Sequence, residues 1–443
     1  MRFASRGRPG NPVSLREAVF AGLAPDGGLY HPVDTPDLAP LLADVDDAVS
    51  FVDLAARVAA ALAHPDLSPD RAERVVRRAL DFPLVLRRLD EQVLLLELFH
   101  GPTCAFKDFG ARFLAAAMED FLGEEDRRIQ IIVATSGDTG SAVAHAFHGR
   151  RNIDVVILYP SGRVSELQEK QLTTLGGNVQ AVEVAGSFDD CQRLAKEAFR
   201  DPVLERRLTL TSANSINIGR LLPQSFYYLY AGTRRAELRG AQPVFCVPSG
   251  NFGNLTAGVY AWRWGLPVSG FIAATNVNDV VPAYLASGRF DPRASTPTLS
   301  NAMDVGNPSN FERLTEVFKG SWQGMASRIE GRVVSDERTL ATMSRLHEEH
   351  GVTVDPHTAV GYAAARDHLE AAAGGGTEGG PVIVLSTAHP AKFADTVRRA
   401  TGADPVMPER LARCLALPKR AVRMGTGLAE LSAFLLDTYD RQG

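Results

Sequence analysis

The stretch HGPTCAFKDFG at residues 100–110 places a lysine inside an apolar segment. Lys107 follows an irregular run, and the residues after it are predicted to form a helix over 109–121. A lysine next to Phe106 and other apolar side chains loses hydration, which disfavours the charged form and frees the amine to act as a nucleophile and base. The alternative is a surface lysine paired with Asp108, but adjacent helix residues do not face each other. The sequence therefore predicts a reactive amine at Lys107.

Lysine is scarce in this chain. Only six of the 47 basic residues are lysines, namely Lys107, Lys170, Lys196, Lys319, Lys392 and Lys419. Arginine does not form a stable imine and does not readily lose its proton, so any lysine chemistry must come from this short set. Within it, only Lys392, in the segment HPAKF, has a loop setting comparable to that of Lys107.

Composition places the chain among ordinary globular proteins. Its 443 residues, 45% hydrophobic and 22% charged, predict two or three domains. The net charge of −5 and the absence of a long basic run argue against a nucleic-acid partner. No membrane span or secretory signal is visible, and the four scattered cysteines indicate reduced thiols without a zinc site. We therefore expect a cytoplasmic metabolic enzyme with no metal and no membrane or nucleic-acid partner.

Short apolar runs alternate with amphipathic helices after a helical N-terminal region of about 80 residues. The predicted strands are Val93–Leu98, Ile129–Ala134, Ile153–Tyr159, Val179–Val184, Leu208–Thr211, Val244–Pro248, Phe271–Ala274 and Val382–Ser386. Strands that alternate with helices of this length form parallel sheets, and the number of strands indicates two of them. The predicted class is α/β, with two parallel-type domains.

Three loops that follow predicted strands are rich in glycine or hydroxyl residues. They span 134–140 (ATSGDTG), 248–254 (PSGNFGN) and 386–390 (STAHP). In open parallel sheets, ligands bind at the carboxyl ends of strands, where such loops lie. Free N–H groups at a helix start favour an anion, so the first two loops are candidate sites for a carboxylate and a phosphate. Ordinary N-capping and a plain tight turn are the alternatives.

Six segments together resemble the threonine synthase family of the bacterial and fungal type. They are HGPTCAFKDFG at 100–110, ATSGDTGSA at 134–142, SANSIN at 212–217, PSGNFGN at 248–254, NAMDVGNPSN at 301–310 and STAHPAKF at 386–393. The resemblance implies the tryptophan-synthase β fold, known as fold type II, and pyridoxal 5′-phosphate (PLP) as cofactor. It also implies a lyase that converts O-phospho-L-homoserine and water to L-threonine and phosphate, the last step of threonine biosynthesis, and a monomer.

The family's functional residues carry over onto matching positions. Lys107 looks like the Schiff-base lysine, and Thr387 looks like the hydroxyl that faces the pyridine nitrogen. By the same resemblance, the family's loop that binds the cofactor phosphate corresponds to Gly250, Asn251, Phe252, Gly253 and Asn254. The family's residues that bind the substrate carboxylate correspond to Ser136, Gly137 and Thr139. Asp138 departs from many relatives, in which an asparagine donates to the cofactor's 3′-oxygen. An ionised aspartate cannot donate, so Asp138 is either protonated or holds the ring less directly.

This chemistry needs a second anion site, because the cofactor's own phosphate occupies the first. The segment after the predicted strand 208–211 offers Asn214, Ser215 and, about one turn later, Arg220. The guanidinium is a planar, charged fork suited to phosphate oxygens. The resemblance places substrate-phosphate contacts at these positions. The alternative is that Asn214 caps the following helix and Arg220 lies on the surface.

The expected domains are an N-terminal region at 1–80, a large PLP-binding domain at 81–112 and 216–443, and a small mobile domain at 113–215. Two other functions remain open at this point. One is a serine/threonine dehydratase or cysteine synthase of the same fold, which needs no second phosphate site. The other is a non-catalytic binding protein, which the intact Lys107 and phosphate loop argue against.

Overall fold

Strands alternate with helices along most of the chain. The computed structural model describes residues 1–123, 125, 127–135, 137–374 and 380–440. The N-terminal elements are β1 (Phe3–Ala4), α1 (Leu15–Ala21), β2 (His31–Pro32), α2 (Ala39–Ala43), α3 (Phe51–Ala63) and α4 (Pro69–Ala79). The next elements are β3 (Val85–Arg88), β4 (Val93–Glu97), α5 (Lys107–Leu122), β5 (Ile129–Ala134), α6 (Asp138–Phe147), β6 (Ile153–Pro160), α7 (Glu166–Thr173), β7 (Val179–Val184), α8 (Phe188–Ala198), α9 (Pro202–Arg207) and β8 (Leu210–Thr211).

The second half of the chain continues the alternation. Its elements are α10 (Ile218–Leu221), α11 (Gln224–Gly232), α12 (Arg235–Leu238), β9 (Val244–Pro248), α13 (Gly253–Arg263), β10 (Gly270–Thr275), α14 (Val280–Ser287), α15 (Phe311–Val317), α16 (Trp322–Ala326), β11 (Ile329–Val333), α17 (Asp336–His350), α18 (Pro356–Gly374), β12 (Val382–Ser386), α19 (Ala394–Thr401), α20 (Glu409–Ala416), β13 (Val422–Met424) and α21 (Leu428–Tyr439). Short 3₁₀ helices span Asn301–Met303 and Pro390–Phe393.

Two large sheets organise most of these elements, and β1 and β2 form a separate antiparallel pair. The larger has the order β11-β10-β9-β12-β4-β3 and is parallel except for β3, which runs antiparallel to β4. The smaller has the order β13-β7-β6-β5-β8 and is parallel throughout. Every residue of β4, β5, β6, β9 and β12 is buried, as expected of parallel strands covered by helices on both faces. The predicted α/β class with two parallel-type sheets is confirmed.

The predicted strands match the observed ones closely. Val179–Val184, Val244–Pro248, Val382–Ser386 and Ile129–Ala134 have the predicted bounds, and the predicted strand 208–211 shortens to the two residues of β8. The predicted helix at 109–121 begins earlier, at Lys107 itself. The reactive-lysine candidate therefore stands on the first turn of a long, rigid helix.

The N-terminal region is a small helical layer. Its helix α4 begins at Ser68, whose hydroxyl accepts a hydrogen bond from the backbone N–H of Arg71, and Pro69 occupies the first helical position. The residues Ala72, Val75, Val76 and Ala79 form the buried face of this helix. This face belongs to the same apolar cluster as Phe109 on α5, so the N-terminal layer supports the helix that carries Lys107.

The C-terminal tail belongs with the smaller sheet, which corrects the expectation that residues 216–443 all lie in the large domain. Strand β13 pairs in parallel with β7 at the edge of that sheet. Helix α21 buries Leu431 and Leu435 in the same apolar cluster as Cys191 and Leu194 of α8. The physical reason is the apolar stripe of α21, which must be covered, and α8 offers a matching apolar face.

None of the helices in the described part of the chain is both long and apolar enough to cross a membrane.

We expect Leu431→Ala to lower the free energy of unfolding by about 2–4 kcal/mol, because the leucine side chain is fully buried and its loss leaves a cavity. Leu417→Ala is the matched control. Leu417 is 46% exposed, and its replacement should change stability by about 0.5 kcal/mol or less. Urea unfolding followed by circular dichroism measures both values. Equal effects of the two substitutions would contradict docking of α21 on the small sheet.

Candidate active site

The loop that carries Lys107 is tied to the loop that follows β12. Strands β4 and β12 are parallel neighbours, so their carboxyl ends lie side by side. Beyond them, Ala105 and Ala388 form an antiparallel bridge. The backbone N–H of Phe106 donates to the carbonyl of Thr387 at 2.8 Å, and that of His389 donates to Cys104 at 3.0 Å. Lys107 and Thr387 are thereby held beyond the carboxyl ends of two neighbouring strands of the large sheet.

Asp108 points away from Lys107 and into the preceding turn. Its carboxylate accepts hydrogen bonds from the backbone N–H of Thr103 at 2.9 Å and from the hydroxyl of Thr103 at 2.7 Å. Burial raises the pKa of Asp108 to about 6 despite these bonds. A Cβ at Gly101 would lie 2.4 Å from an Asp108 oxygen, so glycine is required there. The alternative of a surface Lys107–Asp108 pair is therefore wrong.

The pKa of the Lys107 amine is lowered towards neutral pH. Burial lowers its pKa to about 8, with the charges of Lys392 and Arg220 acting in the same direction and Asp138 opposing them. Lys107 forms no ion pair with a carboxylate of the residues that the structure describes. A lysine with this pKa is unprotonated in a useful fraction near neutral pH, as a nucleophile and base requires.

Asp138 is paired with a second buried lysine. Its carboxylate lies 2.7 Å from Nζ of Lys392 and accepts a hydrogen bond from Nε2 of Gln168 at 3.1 Å. Although burial alone would raise the pKa of Asp138, the charges of Lys392 and Lys107 hold it well below its usual value. Of the two alternatives left open by the sequence, a protonated Asp138 is therefore disfavoured.

The loop after β5 is shaped by Thr135. Its hydroxyl oxygen accepts hydrogen bonds from the backbone N–H groups of Gly137 at 3.0 Å and Gly140 at 2.9 Å. Gly137 has a φ of 150°, and a Cβ there would lie 2.5 Å from Nε2 of Gln168. Because its N–H is already bonded, Gly137 contributes backbone shape. Thr139 lies half-buried on the first turn of α6, and Ser136 lies outside the described residues.

The loop after β9 turns sharply into helix α13. Phe252 takes the left-handed conformation, with φ 59°, directly before the helix begins at Gly253. A Cβ at Gly250 would lie 2.6 Å from the carbonyl oxygen of Ala302, so the loop packs backbone to backbone against the 301–303 turn. This arrangement points the first N–H groups of an 11-residue helix out of the loop, which suits a phosphate.

Two buried side-chain amide nitrogens next to this loop lack hydrogen-bond partners among the described residues. Asn254 accepts hydrogen bonds from the hydroxyls of Tyr227 at 2.6 Å and Tyr228 at 2.8 Å, but its Nδ2 is buried and unbonded among the described residues. Nδ2 of Asn310 is also unbonded and lies 3.3 Å from a Cβ built on Gly253. Buried donors without acceptors are costly, so these two indicate a place for an acceptor-rich ligand.

The segment 212–217 connects both anion loops. The Ser215 hydroxyl accepts a hydrogen bond from Nδ2 of Asn251 at 2.8 Å, which joins it to the loop after β9. Nδ2 of Asn214 donates to the carbonyl of Ala134 at 3.3 Å, at the end of β5. The cap of α10 is Asn217, whose side chain accepts from the N–H of Gly219 at 2.9 Å. The alternative in which Asn214 caps this helix is therefore wrong.

Arg220 is a buried cation, and the alternative of a surface position is also wrong. It is 2% exposed, and Nη1 donates to the carbonyl of Ala213 at 2.8 Å. Its Nε has no partner, and it forms no ion pair with a carboxylate of the described residues. Burial lowers its pKa to about 10. A buried guanidinium without a counter-ion fits a site that receives an anion.

Some residues of the site were not assigned from the sequence. Arg313 is fully buried and binds the carbonyls of Ser215 at 3.2 Å, Ile216 at 2.7 Å and Tyr30 at 2.8 Å, so it shapes the 212–217 segment. Gln168 and Lys392 both contact Asp138. Only Lys392 carried a usable signal, the scarcity of lysine. The other contacts depend on tertiary structure.

The residues present fit PLP. They supply an amine of lowered pKa at Lys107, an anion cradle before α13 with two unpaired amide donors, and the buried hydroxyl of Thr387. Within the described ranges, no group of three or more His, Cys, Asp or Glu side chains could hold a metal ion.

Family models match nearly the whole chain. The model described as pyridoxal-phosphate dependent enzyme matches residues 80–388. The model of the threonine synthase N terminus matches residues 2–80, and that of the threonine synthase C-terminal part matches 358–435.

Individual relatives agree with these models. Threonine synthase from Serratia marcescens is 44% identical over 427 residues, covering 96% of each chain. The crystal structure of threonine synthase from Escherichia coli matches with a TM-score of 0.89 and 42% identity, covering 99% of this chain and 100% of the other. PLP-bound threonine synthase from Brucella melitensis matches with a TM-score of 0.90 and 34% identity over the full length of both chains.

More distant structures share the fold alone. Maize serine racemase and a tomato threonine deaminase each match with a TM-score of 0.54, at 18% and 16% identity. They cover 72% and 77% of this chain, so the likeness leaves a substantial part of it unmatched. At such identity the match says nothing of the reaction.

We expect the pH dependence of PLP capture to follow the lowered pKa of Lys107. Below about pH 8 the amine is protonated, and the rate constant should rise about tenfold per pH unit before levelling off above that pH. Stopped-flow absorbance of PLP mixed with PLP-free protein measures this rate. Lys107→Ala should abolish the phase. A rate that keeps rising to pH 10 would indicate an ordinary, hydrated lysine.

Proposed function

The chain belongs to the threonine synthase family of pyridoxal-phosphate-dependent enzymes, and we propose that it converts O-phospho-L-homoserine and water into L-threonine and phosphate. Bound PLP supplies the electron sink for this chemistry. The observation that carries the substrate assignment is Arg220, a buried cation without a carboxylate partner among the described residues, whose charge acts on Lys107. The enzyme thus offers a second anion site beside the one before α13, as a phosphorylated substrate requires.

Lys107 has two tasks in this proposal. Its amine would hold the cofactor covalently, and the same amine, once free, would remove the proton at Cα of the substrate. One flexible amine beside the reacting carbons would also be within reach of the protons at Cβ and Cγ. Phosphate leaves from Cγ, and water adds at Cβ. The pKa of about 8 supports this role, because the group can both accept and return a proton near neutral pH.

The cofactor's other contacts are proposed from the loop geometry. Gly250, Asn251, Phe252, Gly253 and Asn254 bind its phosphate, mainly through backbone N–H groups at the start of α13. The hydroxyl of Thr387 forms no hydrogen bond with another described residue and is free to face the pyridine nitrogen. Asp138 acts on Lys107 through its charge.

The substrate's two anionic ends are proposed to bind different loops. Ser136 and Thr139 hold its carboxylate at the first turn of α6, on a loop whose shape Gly137 permits. Ser215 keeps its hydroxyl hydrogen available after accepting from Asn251, and Arg220 supplies the charge for the phosphate. Asn214 already donates to Ala134, so its part in this site is to hold the loop or to turn its second N–H towards the ligand.

The arrangement of domains is also a proposal. The large unit is formed by residues 81–112 and 216 to about 404, and the small unit by residues 113–215 with the tail 409–440. We propose that the small unit moves to close over the substrate. A cytoplasmic monomer that acts on a small molecule, without nucleic-acid or membrane partners, agrees with the four buried free cysteines and the net charge of −5.

No observation favours the dehydratase or cysteine synthase reaction over this one. Those reactions use no phosphorylated substrate and give the uncompensated Arg220 no partner. The non-catalytic alternative leaves the lowered pKa of Lys107 without a purpose.

We expect the purified protein with PLP to release L-threonine and phosphate in equal amounts from O-phospho-L-homoserine. Amino-acid analysis and a phosphate assay on the same samples measure both products. Lys107→Ala should form neither product at a comparable rate. Phosphate without threonine, with a 2-oxo acid in its place, would contradict the proposed course of the reaction.

We expect Arg220→Met to lower kcat/KM for O-phospho-L-homoserine by an amount equivalent to about 2 kcal/mol or more, the scale of a lost charge-assisted hydrogen bond. Because a buried, unpaired charge is removed, the melting temperature should not fall. Inorganic phosphate should raise the melting temperature of the wild type and not that of Arg220→Met. Arg74→Met, at an exposed position of α4, is the matched control and should behave as wild type. Wild-type kinetics for Arg220→Met would place the second site elsewhere.

A further inference from the structure

Lys392 is a second lysine inside the active site, and the role proposed for Lys107 does not account for it. Its residue is 5% exposed and its side chain is fully buried. Nζ lies 2.7 Å from Oδ1 of Asp138 and donates to the carbonyl of Thr103 at 3.0 Å. Burying an ammonium group is costly, and a lysine that only filled space would be replaced at no loss by an apolar side chain.

The backbone fixes the two lysines relative to each other. Lys392 lies in the 3₁₀ helix Pro390–Phe393, which follows the Ala105–Ala388 bridge. Lys107 begins α5 on the other side of the same bridge. The carbonyl of Thr103 that Lys392 binds precedes Lys107 by a few residues in that loop. Both amines therefore project from one junction held by backbone hydrogen bonds, and Asp138 pairs with the amine of Lys392.

The chemistry of the cofactor defines what must lie near Lys107. In PLP the phenolic oxygen is on the carbon next to the one that bears the aldehyde. A lysine nitrogen bonded to that aldehyde carbon therefore has the phenolic oxygen within hydrogen-bonding reach. Groups close to Nζ of Lys107 are thus the groups that meet this oxygen. The Ala105–Ala388 bridge and the hydrogen bond from Lys392 to Thr103 bring Lys392 and its partner Asp138 to the loop that carries Lys107. The charge of each also acts on Lys107.

Asp138 alone is unsuited to that position. Its carboxylate is ionised beside the two lysines, and an ionised carboxylate has no hydrogen to donate and repels a phenolate. An ammonium group has three N–H donors. Lys392 uses two of them on Asp138 and Thr103, and the third has no acceptor among the described residues.

We propose that Lys392 is a cofactor-binding residue, which neutralises Asp138 and directs its remaining N–H to the phenolic oxygen of PLP. Asp138 is then a positioning residue that holds the Lys392 ammonium in place. The pair does jointly what a single neutral amide could do, namely offer a donor without adding net charge. This inference rests on the proposed covalent role of Lys107.

The test compares three variants of the holoenzyme, Lys392→Met alone and the doubles Asp138→Asn/Lys392→Met and Asp138→Leu/Lys392→Met. Asn and Leu have similar size and no charge, but only Asn can donate a hydrogen bond. Equilibrium dialysis against PLP gives the affinity, the absorption spectrum reports the ionisation of the phenolic oxygen, and urea unfolding reports the fold.

Lys392→Met should weaken PLP binding by roughly 10- to 100-fold, the scale of one hydrogen bond to a charged group, and shift absorbance from the visible band to the near-ultraviolet. The Asn double variant should recover both the affinity and the visible band. The Leu double variant should recover stability only. Equal recovery in the two doubles would overturn the proposal, because neutralising Asp138 would then suffice. An unchanged Lys392→Met holoenzyme would overturn it too.

Borohydride reduction of the wild type followed by peptide mapping separates this inference from the role on which it rests. A pyridoxyl label on Lys107, together with unchanged binding in Lys392→Met, would refute the role of Lys392 alone. A label on Lys392 would refute the role of Lys107, and this inference with it.

Discussion

The pairing of residues 104–106 with 387–389 is the constraint on which the site depends. This pairing continues the contact between β4 and β12 beyond the ends of both strands. It is antiparallel, whereas the two strands pair in parallel. Without it, the loop before α5 would be a free connection between a strand and a helix. With it, two lysines and a hydroxyl are set by backbone hydrogen bonds, which hold position better than side-chain contacts do.

Electrostatically, the site has an excess of buried positive charge. Lys107, Lys392, Arg220 and Arg313 are buried or half-buried, while Asp138 is the carboxylate that pairs with Lys392. Burial lowers the pKa of Lys107, Arg220 and Arg313, because each charged form loses hydration inside the protein. An anionic ligand would offset that loss, so its binding would also stabilise the protein.

Sequence reasoning succeeded where local pattern carries the information. Strands such as β7 and β9 are uninterrupted apolar runs, and their bounds follow from that. It missed β3, β11 and β13, because β3 is an edge strand with no fully buried residue and β11 buries only Ile329 fully. The site loops were identified from composition and from order along the chain. The partners of Lys392 could not be identified from the sequence, because the lysine binds Thr103, which is 289 residues away along the chain. The direction in which Arg220 points was equally out of reach.

The small sheet is assembled from distant parts of the chain, because its edge strand β13 is formed by Val422–Met424. During synthesis on the ribosome, β5, β6 and β7 emerge long before the helix that covers α8. The apolar face formed by residues such as Cys191 and Leu194 is therefore exposed for most of translation. Nascent chains fold from the amino end, and uncovered apolar surface is prone to aggregate. The smaller core therefore depends on β13 and α21 to cover it, and a chain that lacks them would leave this apolar face open to aggregation.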